Sequence, residues 1–177
     1  MGFDKLAVPF AGEPLARRMA RALAGLDPLF VATPAVAALL ADLAGVDVVE
    51  TEPTPGPART LQLADAAVED DRYLAVVPCD LPFLDADRVR AFAARVPDDA
   101  DLAWPVVGTL PGHPVLWSPR ARARIAALPH DVAPMRVRDD PSLRALAVPV
   151  ADEAYVTDVD SPDGWAAAEA RARSARR

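Results

Sequence analysis

Short apolar segments alternate with helical patterns along the first half of the chain, and this alternation constrains the fold more than any other feature. Apolar runs typical of strands cover residues 29–32, 46–50 and 73–78, and helical patterns lie between them at 34–44 and 58–69. Strand–helix–strand units of this length build parallel sheets. The sequence therefore predicts an α/β fold with a mostly parallel sheet, in which residues 73–78, apolar on both faces, form a central strand.

The second half of the chain has a different pattern. Strands are predicted at residues 101–107 and 114–117, joined by a short glycine-containing turn that suits antiparallel pairing, and further strands at 146–150 and 155–159. Helices are predicted at 121–128 and 163–173. No internal repeat divides the sequence, and 177 residues suit one domain of ordinary size. We therefore expect a single domain over residues 1–177.

Charge and cysteine content exclude several classes of protein. The chain carries 19 Lys and Arg against 26 Asp and Glu, a net charge of -7, and an acidic chain does not attract phosphate backbones. We therefore expect no nucleic-acid partner. The single cysteine, Cys79, excludes an internal disulfide, and no apolar run is long enough to span a bilayer. These features predict a cytoplasmic protein with no membrane partner.

Asp80 directly follows the predicted central strand, and Pro82 then prevents that strand from continuing. Ligands in open α/β sheets bind beyond the carboxyl ends of the strands. A carboxylate at that position can hold Mg²⁺, which prefers one or two carboxylates together with substrate phosphates. The alternative is that Asp80 only caps its own turn or the helix that begins near Asp85, and the spacing favours neither.

A second acidic segment, residues 157–163, also lies between an apolar run and a predicted helix. Asp158 and Asp160 are two residues apart, so on a strand their side chains point to opposite faces and only one is expected to face a site. Asp160 or Ser161 suits the N-cap of the last helix, with Pro162 at its first position. This favours Asp158 as the ligand and Asp160 as a structural residue.

Three further features have a functional and a structural interpretation. Lys5, before an apolar stretch, can neutralise phosphates, but a lone lysine is more often a surface residue. Gly56 opens a helix whose first amides can receive an anion, although a plain turn is the commoner outcome. Gly112 and His113 precede a predicted strand, where the histidine either contacts a substrate or is simply a satisfied surface residue.

Taken in order, six motifs resemble the MobA-like NTP transferases, and the resemblance covers nearly the whole chain. Within that family, the molybdenum cofactor cytidylyltransferases and guanylyltransferases are the most similar. Residues 56–57 and 80–83 resemble the guanylyl type, whereas 112–115 and 148–163 resemble the cytidylyl type, which we favour. The motifs are Gly-Phe-Asp-Lys-Leu at 2–6, Gly-Glu-Pro-Leu at 12–15, Gly-Pro at 56–57, Cys-Asp-Leu-Pro at 79–82, Gly-His-Pro-Val at 112–115 and Asp-Val-Asp-Ser-Pro at 158–162.

The resemblance implies a Rossmann-like three-layer sandwich of the nucleotide-diphospho-sugar transferase type. It implies transfer of CMP or GMP from CTP or GTP to the phosphate of molybdopterin, with release of pyrophosphate. A molybdoenzyme or its maturation factors would be partners. In-line attack at an α-phosphorus needs positioning and charge neutralisation more than covalent catalysis.

The resemblance also implies roles for individual residues. Asp80 would bind Mg²⁺ and Asp158 would complete the metal site. Lys5 would neutralise the triphosphate, and Gly56 would lie near the base. Gly112 and His113 would lie toward the acceptor.

One departure from the family pattern affects these expectations. Family members begin with a strand and a Gly-rich loop, whereas Met1 and Gly2 stand where that loop ends. We expect the coding sequence upstream of Met1 to encode them. The alternatives are a non-catalytic nucleotide-binding or regulatory homologue that lost the loop, and a guanylyltransferase acting on phospholactate.

Overall fold

The protein is described by a computed structural model that covers residues 5–53, 56–69 and 71–174. The amino-terminal residues Gly2 to Asp4 of the first motif lie outside this description. Within the described residues, no helix combines the length and the apolar character needed to cross a membrane.

The first strand–helix–strand unit forms as the alternation predicts. Strand β3 (Leu29–Ala32) leads into helix α2 (Pro34–Leu40), which returns the chain to strand β4 (Asp47–Glu50). Pro34 sits in the first turn of α2, where its missing N–H costs nothing. Strands β3 and β4 pair in parallel, from Leu29 opposite Asp47 to Ala32 opposite Glu50.

A second sheet contains most of the other strands. Strand β8 (Val115–Trp117) lies between β5 (Leu74–Val76) and β6 (Leu102–Val107) and is antiparallel to both. Strand β6 also pairs in parallel with β9 (Ala145–Val150), and in antiparallel with the short β7 (Leu110–Pro111). The predicted α/β fold is confirmed, and its sheet is mixed rather than mostly parallel, because short turns and loops allow neighbouring strands to run in opposite directions.

The remaining elements cover these sheets. Strands β1 (Pro9–Phe10) and β2 (Glu13–Pro14) form a short antiparallel hairpin ahead of the first helix. The elements are β1 (Pro9–Phe10), β2 (Glu13–Pro14), α1 (Leu15–Ala22), α3 (Pro57–Ala66), α4 (Ala86–Ala93), α5 (Pro119–Arg122) and α6 (Pro162–Ser174), with short 3₁₀ helices at Lys5–Ala7, Ile125–Ala127, Pro134–Asp139 and Glu153–Tyr155.

Apolar side chains form three buried clusters between these layers. The first joins α1, α2, β3 and α6, and Phe10 at its centre packs edge-on against Trp165, with ring centroids 5.4 Å apart. The second surrounds Trp117, which is 1% exposed, and the third surrounds Phe92 on α4. Helices therefore pack on the sheets through the apolar faces that their sequences predict.

The strand predicted at residues 155–159 is wrong. The chain there forms a short 3₁₀ helix, Glu153–Tyr155, followed by irregular structure. The Glu153 carbonyl accepts hydrogen bonds from the amides of Val156 and Thr157 and from the Thr157 hydroxyl, at 3.0, 3.0 and 2.7 Å. These local bonds use backbone groups that a strand ladder would need.

Candidate active site

Asp80 lies in the turn that follows β5. Its backbone carbonyl accepts a hydrogen bond from the Val159 amide at 3.1 Å, which ties this turn to the segment that precedes α6. Helix α4 is capped by Asp85, whose carboxylate accepts from the Arg88 amide at 2.9 Å. Asp80 is therefore not needed as a helix cap, and its carboxylate takes part in a different interaction.

Lys5 lies between two carboxylates that are distant in sequence. Its Nζ donates to Asp80 Oδ2 at 2.7 Å and also to Asp160 Oδ1. The Lys5 and Asp80 side chains are 26% and 22% exposed, so this ion pair is partly shielded from water. Burial of the ammonium opposes its charge, but the hydrogen bonds to Asp160 and Asp80 outweigh this and raise the pKa of Lys5. Lys5 is therefore a protonated cation at the carboxyl end of β5.

Asp160 belongs to this cluster, and sequence patterns did not point to it. Helix α6 is capped by Ser161, whose hydroxyl accepts from the Gly164 amide at 3.1 Å. The Asp160 carboxylate is therefore available to accept from Lys5. The sequence held one signal for Asp160 as a site residue: Ser161 can cap α6 by itself, which leaves the Asp160 carboxylate without a capping role.

Asp158 lies close to the same carboxylates without contacting Lys5 directly. Desolvation by the neighbouring groups raises the pKa of Asp158, and the negative charges of Asp160 and Asp80 raise it further. Mutual repulsion of this kind is expected where several carboxylates share a site that a cation can occupy. Asp80, Asp158 and Asp160 thus form an acidic group with one internal cation, Lys5.

Gly112 is required by a close approach of two backbone segments. A Cβ atom at this position would collide with the carbonyl oxygen of Tyr155. The Gly112 amide donates to Pro105 O at 2.8 Å, and the His113 amide donates to Tyr155 O at 2.9 Å. Gly112 therefore holds the Tyr155 segment against the start of β8, and this contact positions the His113 ring.

The His113 ring lies beside Asp80 in a partly buried position. Its Nδ1 is 3.3 Å from the Val76 carbonyl oxygen, which can only accept, so the neutral ring carries its proton on Nδ1 and leaves Nε2 as an acceptor. Burial lowers the pKa of His113, against smaller opposing effects of the Val76 carbonyl and the Asp80 carboxylate. The ring is therefore uncharged at neutral pH.

Gly56 has a left-handed backbone, with φ of +88°, that an L side chain rarely adopts. A Cβ there would collide with the carbonyl oxygen of His130, which accepts from the Ala58 amide at 3.3 Å. Gly56 thus docks the start of α3 on the loop around His130. It does not line the cavity beside Asp80, whereas Pro57 and Thr60 of the same helix do.

Two cavities meet at Asp80 and His113. The larger, which we call the interstrand cavity, has a volume of about 1070 Å³ and lies between residues 29–31 of β3 and residues 74–80. Lys5 and Asp160 also border it. The smaller, of about 210 Å³, is bordered by Asp80, Asp158, Gly112, His113 and Tyr155 among others. The acidic group therefore separates two spaces that can each hold part of a ligand.

The acidic group suits a divalent cation only when a ligand completes the shell. Over the described ranges, no group of three or more His, Cys, Asp or Glu side chains is arranged to hold a metal ion by itself. Mg²⁺ is commonly held by one or two carboxylates together with phosphate oxygens and water. Asp80 and its neighbouring carboxylates fit that second arrangement.

Comparison with known proteins gives a family and a fold. The family model described as MobA-like NTP transferase domain matches residues 1–157. Sequence comparison with curated proteins gives no match. A homolog of Mycobacterium tuberculosis rv0371c from Mycobacterium sp. strain JC1 is 21% identical with a TM-score of 0.79, and the match covers 99% of this chain and 91% of that one.

Two other solved structures are similar over comparable lengths. Rv0371C from Mycobacterium tuberculosis H37Rv, solved as a complex with manganese, is 22% identical with a TM-score of 0.73, covering 94% of this chain and 91% of that one. Molybdopterin-guanine dinucleotide biosynthesis protein A from Archaeoglobus fulgidus is 14% identical with a TM-score of 0.72, covering 98% and 92%.

At these identities the structural likeness establishes the fold alone, and the sequence model establishes the family. That model spans most of the chain, from the first motif to the segment just before Asp158. The resemblance to this family is therefore confirmed, and the chain belongs to the MobA-like NTP transferase family.

Proposed function

We propose that this protein transfers CMP or GMP from CTP or GTP to the phosphate of molybdopterin and releases pyrophosphate. The observation that carries the proposal is the cluster of Lys5, Asp80 and Asp160 at the carboxyl end of β5, open to the interstrand cavity. Transfer of a nucleoside monophosphate from a triphosphate needs charge neutralisation at this kind of position.

Charge balance is what these residues contribute to the reaction. A phosphate oxygen of the acceptor attacks the α-phosphorus, the bond from that phosphorus to the bridging oxygen breaks, and pyrophosphate leaves with the electron pair. Lys5 keeps its proton and neutralises developing negative charge on the phosphates. Asp80, with Asp160 or Asp158, would hold Mg²⁺, which supplies further charge neutralisation when bound.

The smaller cavity is the proposed place for the acceptor. His113 borders it with a neutral ring whose Nε2 is an acceptor, and Gly112 fixes that ring through the Tyr155 contact. Asp158 borders the same space. The uncharged His113 Nε2 and the Asp158 carboxylate both accept hydrogen bonds, so they favour hydroxyl or amide donors of the acceptor substrate over a second anionic group. The phosphate of that substrate would point toward Lys5.

The preferred nucleotide is CTP, on the resemblance of residues 112–115 and 148–163 to the cytidylyl type. Gly56 is proposed to act near the base through the start of α3, since Pro57 and Thr60 carry that helix to the cavity wall. A pyrophosphate-release assay with CTP and with GTP, each with molybdopterin, decides between the two bases.

A non-catalytic nucleotide-binding homologue is the second candidate. The observation that favours it is the separation of β3 and β5 in the described residues, which leaves one wall of the nucleotide site open. Binding of CTP or GTP without pyrophosphate release, measured on the same protein preparation, would favour this candidate over the transferase.

The experiment that tests the transferase compares Asp80→Asn with Asp139→Asn in the same pyrophosphate assay. Asp139 is an exposed control whose ion pairs to Arg136 and Arg138 lie on the surface. We expect transfer to fall on the order of 100-fold in the first variant and to stay near wild type in the second. Equal turnover of wild type and Asp80→Asn would rule out the proposed role.

A further inference from the structure

Helix α4 is joined to the segment that borders the smaller cavity by a residue outside the acidic group. Arg88, in the first turn of α4, donates from Nε to Asp152 Oδ2 at 2.8 Å. Its backbone carbonyl accepts from the Tyr155 hydroxyl at 2.8 Å. Arg88 therefore holds both ends of the turn at residues 152–155, with its side chain at one end and its backbone at the other.

The turn between these two attachment points is fixed by its own contacts. Asp152 Oδ1 accepts from the Ala154 amide at 2.9 Å, so Asp152 uses one oxygen as a cap and the other for Arg88. Tyr155 is 6% exposed, and its ring lies near Phe92 of α4, with centroids 6.1 Å apart. A hydroxyl on a buried ring needs a partner, which the Arg88 carbonyl supplies. The turn therefore has a defined position relative to α4.

The start of α4 is in turn connected to Asp80. Arg88 also donates from Nη1 to Asp85, whose carboxylate caps the helix through the Arg88 amide at 2.9 Å. Between Asp80 and Asp85, the Leu84 amide donates to the Leu81 carbonyl at 3.0 Å, and both leucine side chains are buried. Arg88 thus braces the segment that carries Asp80 against the turn at residues 152–155.

Backbone contacts extend from this turn to the smaller cavity. The Tyr155 carbonyl accepts from the His113 amide at 2.9 Å, so the start of β8 rests on the turn. Val156 and Asp158, which follow the turn directly, border the cavity together with His113. A shift of the turn would therefore move His113 and residues 156–158 relative to Asp80.

We propose that Arg88, Asp152 and Tyr155 are positioning residues for the acceptor end of the site, and that they act through the turn at residues 152–155 on His113 and residues 156–158. The Asp152 carboxylate and the Tyr155 hydroxyl are engaged with α4, so neither supplies a reacting group. The kinetic part of this inference rests on the proposed transfer reaction, whereas the placement of His113 is testable without turnover.

Two conservative variants break the connection at different points. Tyr155→Phe removes the hydrogen bond to the Arg88 carbonyl and changes no charge. Asp152→Asn removes the ion pair, while the amide oxygen of the new side chain can still accept from the Ala154 amide. The matched control is Asp87→Asn, because the Asp87 carboxylate lies on the same helix, is 97% exposed and pairs within that helix.

Nuclear magnetic resonance reports the placement of His113 without catalysis. The chain has 2 histidines, so protein labelled with ¹⁵N-histidine gives ring signals from His113 and from the exposed His130, which serves as a reference. At mildly alkaline pH the wild-type nitrogen shifts should show the His113 proton on Nδ1, facing the Val76 carbonyl. Tyr155→Phe and Asp152→Asn should both move these shifts toward a mixture of tautomers, and the control variant should leave them unchanged.

Pyrophosphate release gives a second measurement. Misplacement of a group by about 1 Å can cost on the order of 100-fold in rate, and a partial shift should cost less. We expect the KM for molybdopterin to rise about tenfold in Tyr155→Phe and in Asp152→Asn, with the KM for CTP within about twofold of wild type. Residues that only stabilised the fold would lower the melting temperature without separating the two KM values.

Three results would overturn the proposal. Unchanged His113 signals in both variants would show that the turn does not place this ring. A raised KM for molybdopterin in Tyr155→Phe with unchanged His113 signals would make Tyr155 a direct substrate contact. Equal rises in both KM values would indicate a general loss of structure.

Failure of the transfer reaction gives a different result. Wild-type protein that released no pyrophosphate would overturn the proposed function alone, and the His113 signals of the same variants would still decide the positioning role. If a thermal melt shows that either Tyr155→Phe or Asp152→Asn does not fold, the other variant decides, because each breaks the connection to Arg88 separately.

Discussion

Arg122 is the buried charge whose removal should destabilise the fold most. Its side chain is 3% exposed, and its Nε donates to Asp65 Oδ1 at 2.6 Å. Its two Nη atoms donate to four backbone carbonyls at and beyond the end of α3, at distances of 2.6 to 3.3 Å. These carbonyls belong to Asp65, Val68, Glu69 and Arg72.

The magnitude follows from what Arg122→Met leaves behind. Each hydrogen bond to a charged group contributes about 1.5–3 kcal/mol, but these contributions are not additive, and carbonyls near exposed residues regain water. The Asp65 carboxylate loses its partner in a partly buried position. Breaking a buried ion pair by removing one partner costs about 3–5 kcal/mol, and we expect a loss in this range.

Urea unfolding measures this loss, with Arg138→Met as the matched control. Arg138 is half exposed, and among the described residues its one ion pair is with the neighbouring Asp139, so its loss should cost about 1 kcal/mol or less. Arg122→Lys should fall between the two, because a single ammonium cannot reach all five acceptors. If Arg122→Met unfolded at the same urea concentration as Arg138→Met, the stabilising role inferred for Arg122 would be wrong.

Four further predictions concern the site and the residues around it. Asp160→Asn should reduce pyrophosphate release about as much as Asp80→Asn does, because both carboxylates accept a hydrogen bond from Lys5. Unchanged turnover would show that Asp160 is not part of the site. Gly112→Ala should cost about 1–3 kcal/mol in a thermal melt and weaken transfer, since its methyl group collides with the Tyr155 carbonyl. Burial lowers the pKa of His113 below 6.5, so as the pH falls the unfolded chain binds a proton at this ring before the folded chain does. The free energy of unfolding therefore falls as the pH drops below 6.5. Urea melts between pH 7.5 and 5.5 should show a shallower fall for His113→Gln. Burial, followed by the charge of Asp80, raises the pKa of Cys79 to about 12, so its reaction with Ellman's reagent at pH 8 should be on the order of 100-fold slower in the folded protein than in urea.

The position of Asp160 changes how the acidic segment is interpreted. The two-residue spacing favoured Asp158 as a ligand on the assumption of a strand, but the segment is irregular there. Without a strand, alternation of side chains gives no guide to which carboxylate faces the site. Asp158 stays a proposed metal ligand, and Asp160 is now proposed alongside it.

Local patterns determined much of this protein. Apolar periodicity placed β3 at its observed bounds and most other elements within a few residues, because side-chain burial follows the period of a strand or a helix. Capping chemistry is equally local, so Ser161 and Pro162 marked the start of α6. The order of the motifs identified the family without any structure.

Tertiary structure alone decided which charges meet and where the sheets part. Lys5 contacts carboxylates 75 and 155 residues away in the chain, and no local pattern encodes such a pairing. The strand at 73–78 was predicted to be central because it is apolar, yet Ala75 is exposed in the described residues and β5 pairs on one side only. Composition reports what a strand can bury, whereas its neighbours in space determine what it does bury.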